Sequence, residues 1–125
     1  MNILGTHDTE RALTNLVVTE DELCMSNADK AAFRLDDARR EKALKLMKIA
    51  STIQFTLPGM PCIFYGDEAG LEGYGDPFNR MPYPWGREDQ ELIAFHRDMI
   101  RLRREHEELR RGSIIGLDAD YQYLA

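Results

Sequence analysis

Residues 57–68 read Leu-Pro-Gly-Met-Pro-Cys-Ile-Phe-Tyr-Gly-Asp-Glu, a helix end followed at once by a strand. Pro58-Gly59 is typical of a helix terminus, and the apolar run 61–65 ends at Gly66. Because this run does not alternate polar and apolar residues, it predicts a strand that is buried on both faces, as in a parallel sheet. The segment 67–85 that follows is rich in glycine and proline, which predicts a long irregular loop of a kind that usually carries function.

A helix is predicted on each side of this strand and loop. Upstream, the span 35–57 repeats apolar residues every three or four positions, and Asp36 or Asp37 can cap its first turn. Its predicted inner face consists of Ala43, Met47, Ala50, Ile53 and Leu57. Downstream, a second helix is predicted over 88–111, ended by Gly112. Its predicted inner stripe consists of Leu92, Phe95, Met99, Leu102, His106 and Leu109.

The chain begins and ends with further strand-like segments. Residues 2–5 form a short apolar run that suits the end of a buried strand, and residues 13–18 suit a helical turn within the polar stretch that follows. Residues 113–125 resemble strand material. The order of strand, loop, helix, strand, long loop and helix predicts an α/β fold with two β/α units. Two strands cannot close a barrel, so we expect other segments to complete the sheet.

Composition excludes several classes of function. The chain has 22 acidic and 16 basic residues and a net charge of -6, which argues against nucleic-acid binding and gives no attraction to anionic membranes. No apolar run reaches the roughly 18 residues of a membrane helix. Cys24 and Cys62 have no neighbouring cysteine or histidine ligands, so a metal site is not expected. The two cysteines could form a disulfide, but isolated buried thiols are the commoner case in an intracellular protein and are the prediction here.

Two loops carry candidate chemistry. Gly5-Thr6-His7-Asp8-Thr9-Glu10-Arg11 directly follows a predicted strand, and active-site groups of (β/α)₈ barrels project from such strand ends. The loop 66–85 also follows a strand and mixes carboxylates, Arg80 and aromatic rings, the groups that bind sugars. The alternative for the first loop is a capped turn with surface charges. For the second it is a surface loop whose aromatic residues pack locally.

The two loops together are more specific than either alone. Residues 5–11 resemble the fourth conserved region of glycoside hydrolase family 13, the α-amylase family, and residues 57–68 resemble its eighth-strand motif. Asp76-Pro77-Phe78-Asn79-Arg80 through Trp85 is similar to the following loop in neopullulanases, cyclomaltodextrinases and maltogenic amylases. This resemblance implies that residues 1–111 are the seventh and eighth units of a (β/α)₈ TIM barrel. It also implies that residues 112–125 start the following β-sandwich domain.

The resemblance also implies roles for single residues. Asp8 would be the family's third carboxylate, which stabilises the transition state through the sugar 2- and 3-hydroxyls, and His7 would contact the same hydroxyls. Arg11 would bind substrate or orient carboxylates, and Asp76 and Arg80 would hold the non-reducing side of an α-glucan. The family is retaining, and its nucleophile and acid come from the fourth and fifth strands, so we expect this chain alone to be inactive. No cofactor is implied, and calcium, where family members bind it, lies mainly outside this segment.

Several alternatives stay open at this level. Phe33-Arg34-Leu35-Asp36 is similar to the family's nucleophile region, but it follows the His-Asp motif, and helix capping is a sufficient role for Asp36. A non-catalytic barrel relative would serve as a binding or assembly module, and a metal phosphohydrolase would need further His and Asp ligands. Open strand edges and apolar faces predict self-association of the chain. Both α-1,4 and α-1,6 linkages remain open, as do hydrolysis and transfer.

Overall fold

A computed structural model describes residues 1–116 of the chain, and this part is mainly helical. The elements follow in the order β1 (Asn2–Ile3), α1 (Ala12–Asn15), α2 (Glu20–Leu23), α3 (Asn27–Ala32), α4 (Asp37–Thr56), β2 (Pro61–Cys62), two 3₁₀ helices (Asp67–Ala69 and Phe78–Arg80), α5 (Gln90–Glu105) and α6 (Glu107–Arg111). The strands and the two long helices therefore alternate as the sequence predicted.

The two strands pair in parallel, with Asn2 opposite Pro61 and Ile3 opposite Cys62. The buried side chain of Gln54 joins them, since its Nε2 donates to the carbonyls of Asn2 and Cys62 at 2.9 Å each. The prediction that the second strand is buried on both faces is wrong for the described residues, because Cys62 and Tyr65 are exposed. Each strand has only the other as a neighbour in this part of the chain, so the outer edge of each strand is unpaired.

Helix α4 begins and ends where the sequence predicted. The Asp36 carboxylate caps it by accepting from the Arg39 amide at 2.8 Å, and the chain leaves the helix through Gly59, whose φ of +111° favours glycine. Its buried face differs from the prediction, because Ile53 is exposed while Ser51 and Gln54 are buried. The Ser51 hydroxyl contacts His96 of α5 at 3.2 Å, so a polar pair occupies the α4–α5 interface.

The last predicted helix is interrupted. Its backbone becomes extended at His106 (φ -106°, ψ 104°), which separates α5 from α6 and leaves His106 exposed rather than on an inner stripe. Residues 105–108 contain no apolar side chain, so no packing holds the helix continuous there. Arg103 turns inward instead. Its guanidinium donates to the carbonyls of Phe55 (2.6 Å), Leu57 (3.1 Å) and Gly59, the backbone acceptors at and beyond the end of α4.

The polar stretch between β1 and α4 forms short capped helices. Thr19 and Glu22 make a capping box at α2, and Ser26 caps α3 through the Asp29 amide at 3.2 Å. Glu22 also receives two hydrogen bonds from Arg39 (2.6 and 2.7 Å), and these bonds lower the pKa of Glu22 to about 2. The hydrophobic core is formed by Ala12, Leu13, Leu35, Ala43, Met47 and Leu92.

Two further predictions concern the cysteines and the strand-like residues 113–125. Cys24 and Cys62 are free but exposed, so the prediction of buried thiols is wrong; Cys24 ends a surface helix and Cys62 lies in β2. Residues 113–116 form no strand, and the rest of the predicted β-sandwich start lies outside the described residues. Within residues 1–116, no helix is long and apolar enough to cross a membrane.

Candidate active site

The loop after β1 is a tight turn that presents His7 and Asp8. The Asp8 amide donates to the Thr6 hydroxyl at 3.1 Å, and the Thr6 amide donates to the Thr9 hydroxyl at 3.0 Å. His7 Nε2 lies 3.2 Å from Asp8 Oδ2, with 63% and 73% of the two side chains exposed. An imidazole and a carboxylate therefore stand side by side at the carboxyl end of the strand, where both can reach a ligand.

The loop after β2 brings Asp76 and Arg80 to the same place. Arg80 Nε pairs with Asp76 Oδ1 at 2.6 Å, and both side chains are about half exposed. Arg80 Nη2 also donates to the His7 carbonyl at 3.3 Å. Four of the five residues predicted for the site thus lie in two adjoining loops, although their motifs are separated by about 70 positions in the sequence.

Asn79 of the second loop joins it to the first through its side chain. Its side chain is completely buried, and its Nδ2 donates to the carbonyls of His7 (2.8 Å) and Thr9 (2.7 Å). These two carbonyls flank Asp8. The backbone that carries the predicted carboxylate is therefore held by a side chain of the second loop.

The fifth predicted residue, Arg11, is placed differently. Its side chain is 0% exposed, its Nη1 donates to the Tyr65 carbonyl and to Asp67 Oδ1 (3.3 Å), and its guanidinium lies 4.1 Å from the centre of the Phe64 ring. Arg11 therefore contacts a carboxylate and an aromatic ring inside the protein and has no surface with which to touch a ligand. Burial raises the pKa of Asp67 to about 6, and the charge of Arg11 opposes that rise.

The neighbouring aromatic and acidic residues complete the rim of the site. The Tyr65 hydroxyl donates to the Met81 carbonyl at 2.9 Å, which fastens the second loop to the strand end. Glu68 accepts from the Gly66 amide at 2.9 Å and so supports the turn after β2. Trp85 is 79% exposed and lies against Tyr83, with 4.5 Å between ring centres. Among residues 1–116, no three His, Cys, Asp or Glu side chains form a group that could hold a metal ion.

The chain is similar to known proteins in both sequence and structure. No family model matches it. An amylopullulanase from Thermoanaerobacter thermohydrosulfuricus is 40% identical over 120 residues, which cover 96% of this chain and 8% of that protein. A cyclomaltodextrinase from a Bacillus species is 37% identical over 121 residues, or 95% of this chain and 17% of that protein. The chain is homologous to glycoside hydrolase family 13, the α-amylase family.

Solved structures agree with this family relationship. The cyclic α-maltosyl-(1→6)-maltose hydrolase of Arthrobacter globiformis matches 94% of this chain, with a TM-score of 0.68 and 27% identity. The match covers 22% of that protein, so the chain spans a minor part of the enzymes it resembles. The structural neighbours are TIM-barrel proteins of the amylase family, which fits a barrel segment. The assignment to the seventh and eighth units stays a prediction.

Two residues of the candidate site were not found from the sequence. Asn79 stands between Asp76 and Arg80 in the quoted motif, but nothing in the motif distinguishes a buried amide from an exposed one. Asp67 directly follows Gly66, which precedes the 3₁₀ helix Asp67–Ala69 in the loop after β2, and its place at this glycine turn was a usable signal. Both residues pair with groups more than 50 positions away, a distance at which local patterns carry no information.

Proposed function

We propose that this chain forms one side of the active site of a retaining α-glucan hydrolase or transglycosylase that acts on starch-type oligosaccharides. The observation that carries the proposal is the meeting of the two loops at the carboxyl ends of β1 and β2, where Asp8, His7 and Arg80 converge. Active sites of barrel enzymes are built at this end of the strands. Support also comes from the relatives, which are named as enzymes that degrade α-glucans.

Asp8 is the proposed transition-state stabiliser. Its exposed carboxylate can accept hydrogen bonds from two adjacent sugar hydroxyls, and such bonds strengthen as the sugar flattens towards an oxocarbenium ion. An interaction that is stronger in the transition state than in the bound substrate lowers the barrier to the chemical step. His7, 3.2 Å from that carboxylate, would hold the same hydroxyls from the other side.

Asp76 and Arg80 are the proposed contacts to the non-reducing side of the glucan. Their ion pair of 2.6 Å holds both side chains in a fixed relation, and the bond from Arg80 to the His7 carbonyl sets the pair beside the Asp8 loop. Charged groups fixed in this way can accept from and donate to neighbouring hydroxyls without reorganising. The pair is therefore suited to recognising the sugar next to the one that reacts.

Arg11 is proposed to act through the protein interior. Its buried guanidinium joins the loop after β1 to Asp67 and the Tyr65 carbonyl after β2. A sugar contact for Arg11, as the resemblance implied, is not compatible with a side chain that is 0% exposed. We assign Arg11 the orienting role that was the other implication of the motif.

The resemblance assigns no nucleophile and no acid–base residue to this chain. Glycoside cleavage with retention requires both carboxyl groups, about 5 Å apart. We therefore propose that the chain by itself does not hydrolyse glycosides and that catalysis belongs to the full-length protein. The same reasoning implies that the faces left uncovered around β1 and β2 make the isolated chain self-associate.

The test is the substitution Asp8→Asn in the full-length protein. It keeps the size of the side chain but removes its charge, so kcat/KM on maltooligosaccharides should fall about 100-fold or more. Asp21→Asn is the matched control, because Asp21 is exposed on α2 and lies outside both loops. Equal kcat/KM values for the two variants would contradict the proposed role of Asp8. A wild-type protein without glycosidase activity would contradict the proposed function itself.

A further inference from the structure

Asn79 is placed where it can control the position of Asp8. It lies in the 3₁₀ helix Phe78–Arg80 with 0% of its surface exposed. Both protons of its Nδ2 are used, one on the His7 carbonyl at 2.8 Å and one on the Thr9 carbonyl at 2.7 Å. Because both partners are carbonyl acceptors, only the nitrogen of the amide can face them, so the side chain has a single workable orientation.

The turn that carries Asp8 has few other external supports. Thr6, Asp8 and Thr9 bond among themselves through their hydroxyls and amides, which shapes the turn but does not fix it in space. Among the hydrogen bonds of residues 1–116, those that reach positions 6–9 from elsewhere in the chain come from Asn79 and Arg80. The Arg80 bond is longer, at 3.3 Å, and exposed to water. The two bonds of Asn79 are shorter and part-buried, so they dominate the position of the turn.

We propose that Asn79 is a positioning residue that holds the Asp8 carboxylate against the reacting sugar, an inference that rests on the proposed function. The Asn79 side-chain amide donates to the backbone carbonyl on each side of Asp8, so a shift of Asn79 moves the Asp8 carboxylate with it. A displacement of about 1 Å at a reacting centre costs roughly 100-fold in rate. Asn79 touches no sugar in this scheme and acts only through Asp8.

The substitution Asn79→Asp in the full-length protein tests this role. It keeps the shape of the side chain but sets a carboxylate oxygen against two carbonyl oxygens, which pushes the turn outward. We expect kcat/KM on maltooligosaccharides to fall about 100-fold. Asn79→Ser, which keeps one donor, should show a smaller loss and guards against a variant that fails to fold. Asn27→Asp, an equal change at an exposed position of α3, is the control that should leave kcat/KM unchanged.

A double-mutant cycle separates positioning from general stability. In an Asp8→Asn background, Asn79→Asp should cause little further loss, because the group it positions is already disabled. A merely structural role would reduce activity by the same factor in both backgrounds, and that result would overturn the proposal.

Amide exchange gives a second readout that does not depend on activity. The amides of residues 6–9 should exchange faster in Asn79→Asp and in Asn79→Ser than in the wild type and in Asn27→Asp. Unchanged exchange in both Asn79 variants would overturn the proposal. If the wild-type protein shows no glycosidase activity, the proposed function fails. Faster amide exchange in the two Asn79 variants would still show that Asn79 holds the Asp8 turn in place.

Discussion

Arg103 provides the sharpest test of how the fold is held together. Its guanidinium donates to the carbonyls of Phe55, Leu57 and Gly59, which join the end of α4 to β2. A hydrogen bond from a charged group contributes about 1.5–3 kcal/mol net, and a cation at a helix C-terminus contributes up to about 2 kcal/mol. These contributions overlap because one guanidinium supplies them all. Arg103→Met keeps the packing of the aliphatic stem, so we expect a local loss of about 3 kcal/mol.

Hydrogen exchange measured on peptides covering residues 55–62 of the full-length protein reads this loss directly. A loss of about 3 kcal/mol corresponds to exchange faster by roughly 150-fold, since about 1.4 kcal/mol is a factor of ten. Arg104→Met is the control, because Arg104 is the next residue on the same helix and is exposed. Its effect should stay within about 0.5 kcal/mol. Equal effects of the two substitutions would refute the assignment of the junction to the Arg103 side chain.

Two further predictions concern the buried pair and the uncovered faces. Burial raises the pKa of the Asp67 carboxyl from 3.8 to about 6, so the folded chain favours the protonated form. The resulting contribution to the free energy of unfolding is present below about pH 4 and is lost as the pH rises through 6. At roughly 1.4 kcal/mol per pH unit, the free energy of unfolding of the wild type in urea should fall by about 2 kcal/mol relative to Asp67→Asn between pH 4 and pH 7, whereas parallel pH profiles would contradict this. The isolated chain, with Ile3, Met60 and Ile100 exposed, should self-associate in a light-scattering concentration series, and a monomer at every concentration would show otherwise.

The parts of the fold that the sequence predicted depend on short-range chemistry. The N-terminal cap of α4 lies in one turn, where the Asp36 side chain accepts from an amide three positions away. The C-terminal end of α4 is indicated by Pro58-Gly59. The parallel pairing of the strands followed from the alternation of strand-like and helical segments. Each of these features needs only neighbouring residues or the order of elements, so a single sequence was sufficient.

The parts that it did not predict depend on buried polar side chains. Gln54 and Arg103 donate hydrogen bonds to backbone carbonyls of distant segments, and for this reason their side chains are buried. The apolar pattern of α4 predicted Ile53 at the interior instead. A hydrophobic periodicity cannot reveal an interior position whose occupant is polar and fully bonded. For that reason the inner face of α4 was misplaced although the helix itself was correct.

The candidate site divides in the same way. The motifs predicted that His7, Asp8, Asp76 and Arg80 belong together, and the structure brings them into two adjoining loops. A motif does not give depth, so the burial of Arg11 against its carboxylate partner could not be deduced from it. Asn79, which joins the two loops, was not predicted because its two hydrogen bonds span about 70 positions in the sequence.

The most direct test of the central claim is a crystal structure of the full-length protein with a maltooligosaccharide bound. We expect the Asp8 carboxylate to lie about 2.7–3.0 Å from two adjacent hydroxyls of one glucose unit, with Asp76 and Arg80 against the next unit. An oligosaccharide bound in the catalytic cleft without any contact to Asp8 or His7 would contradict it.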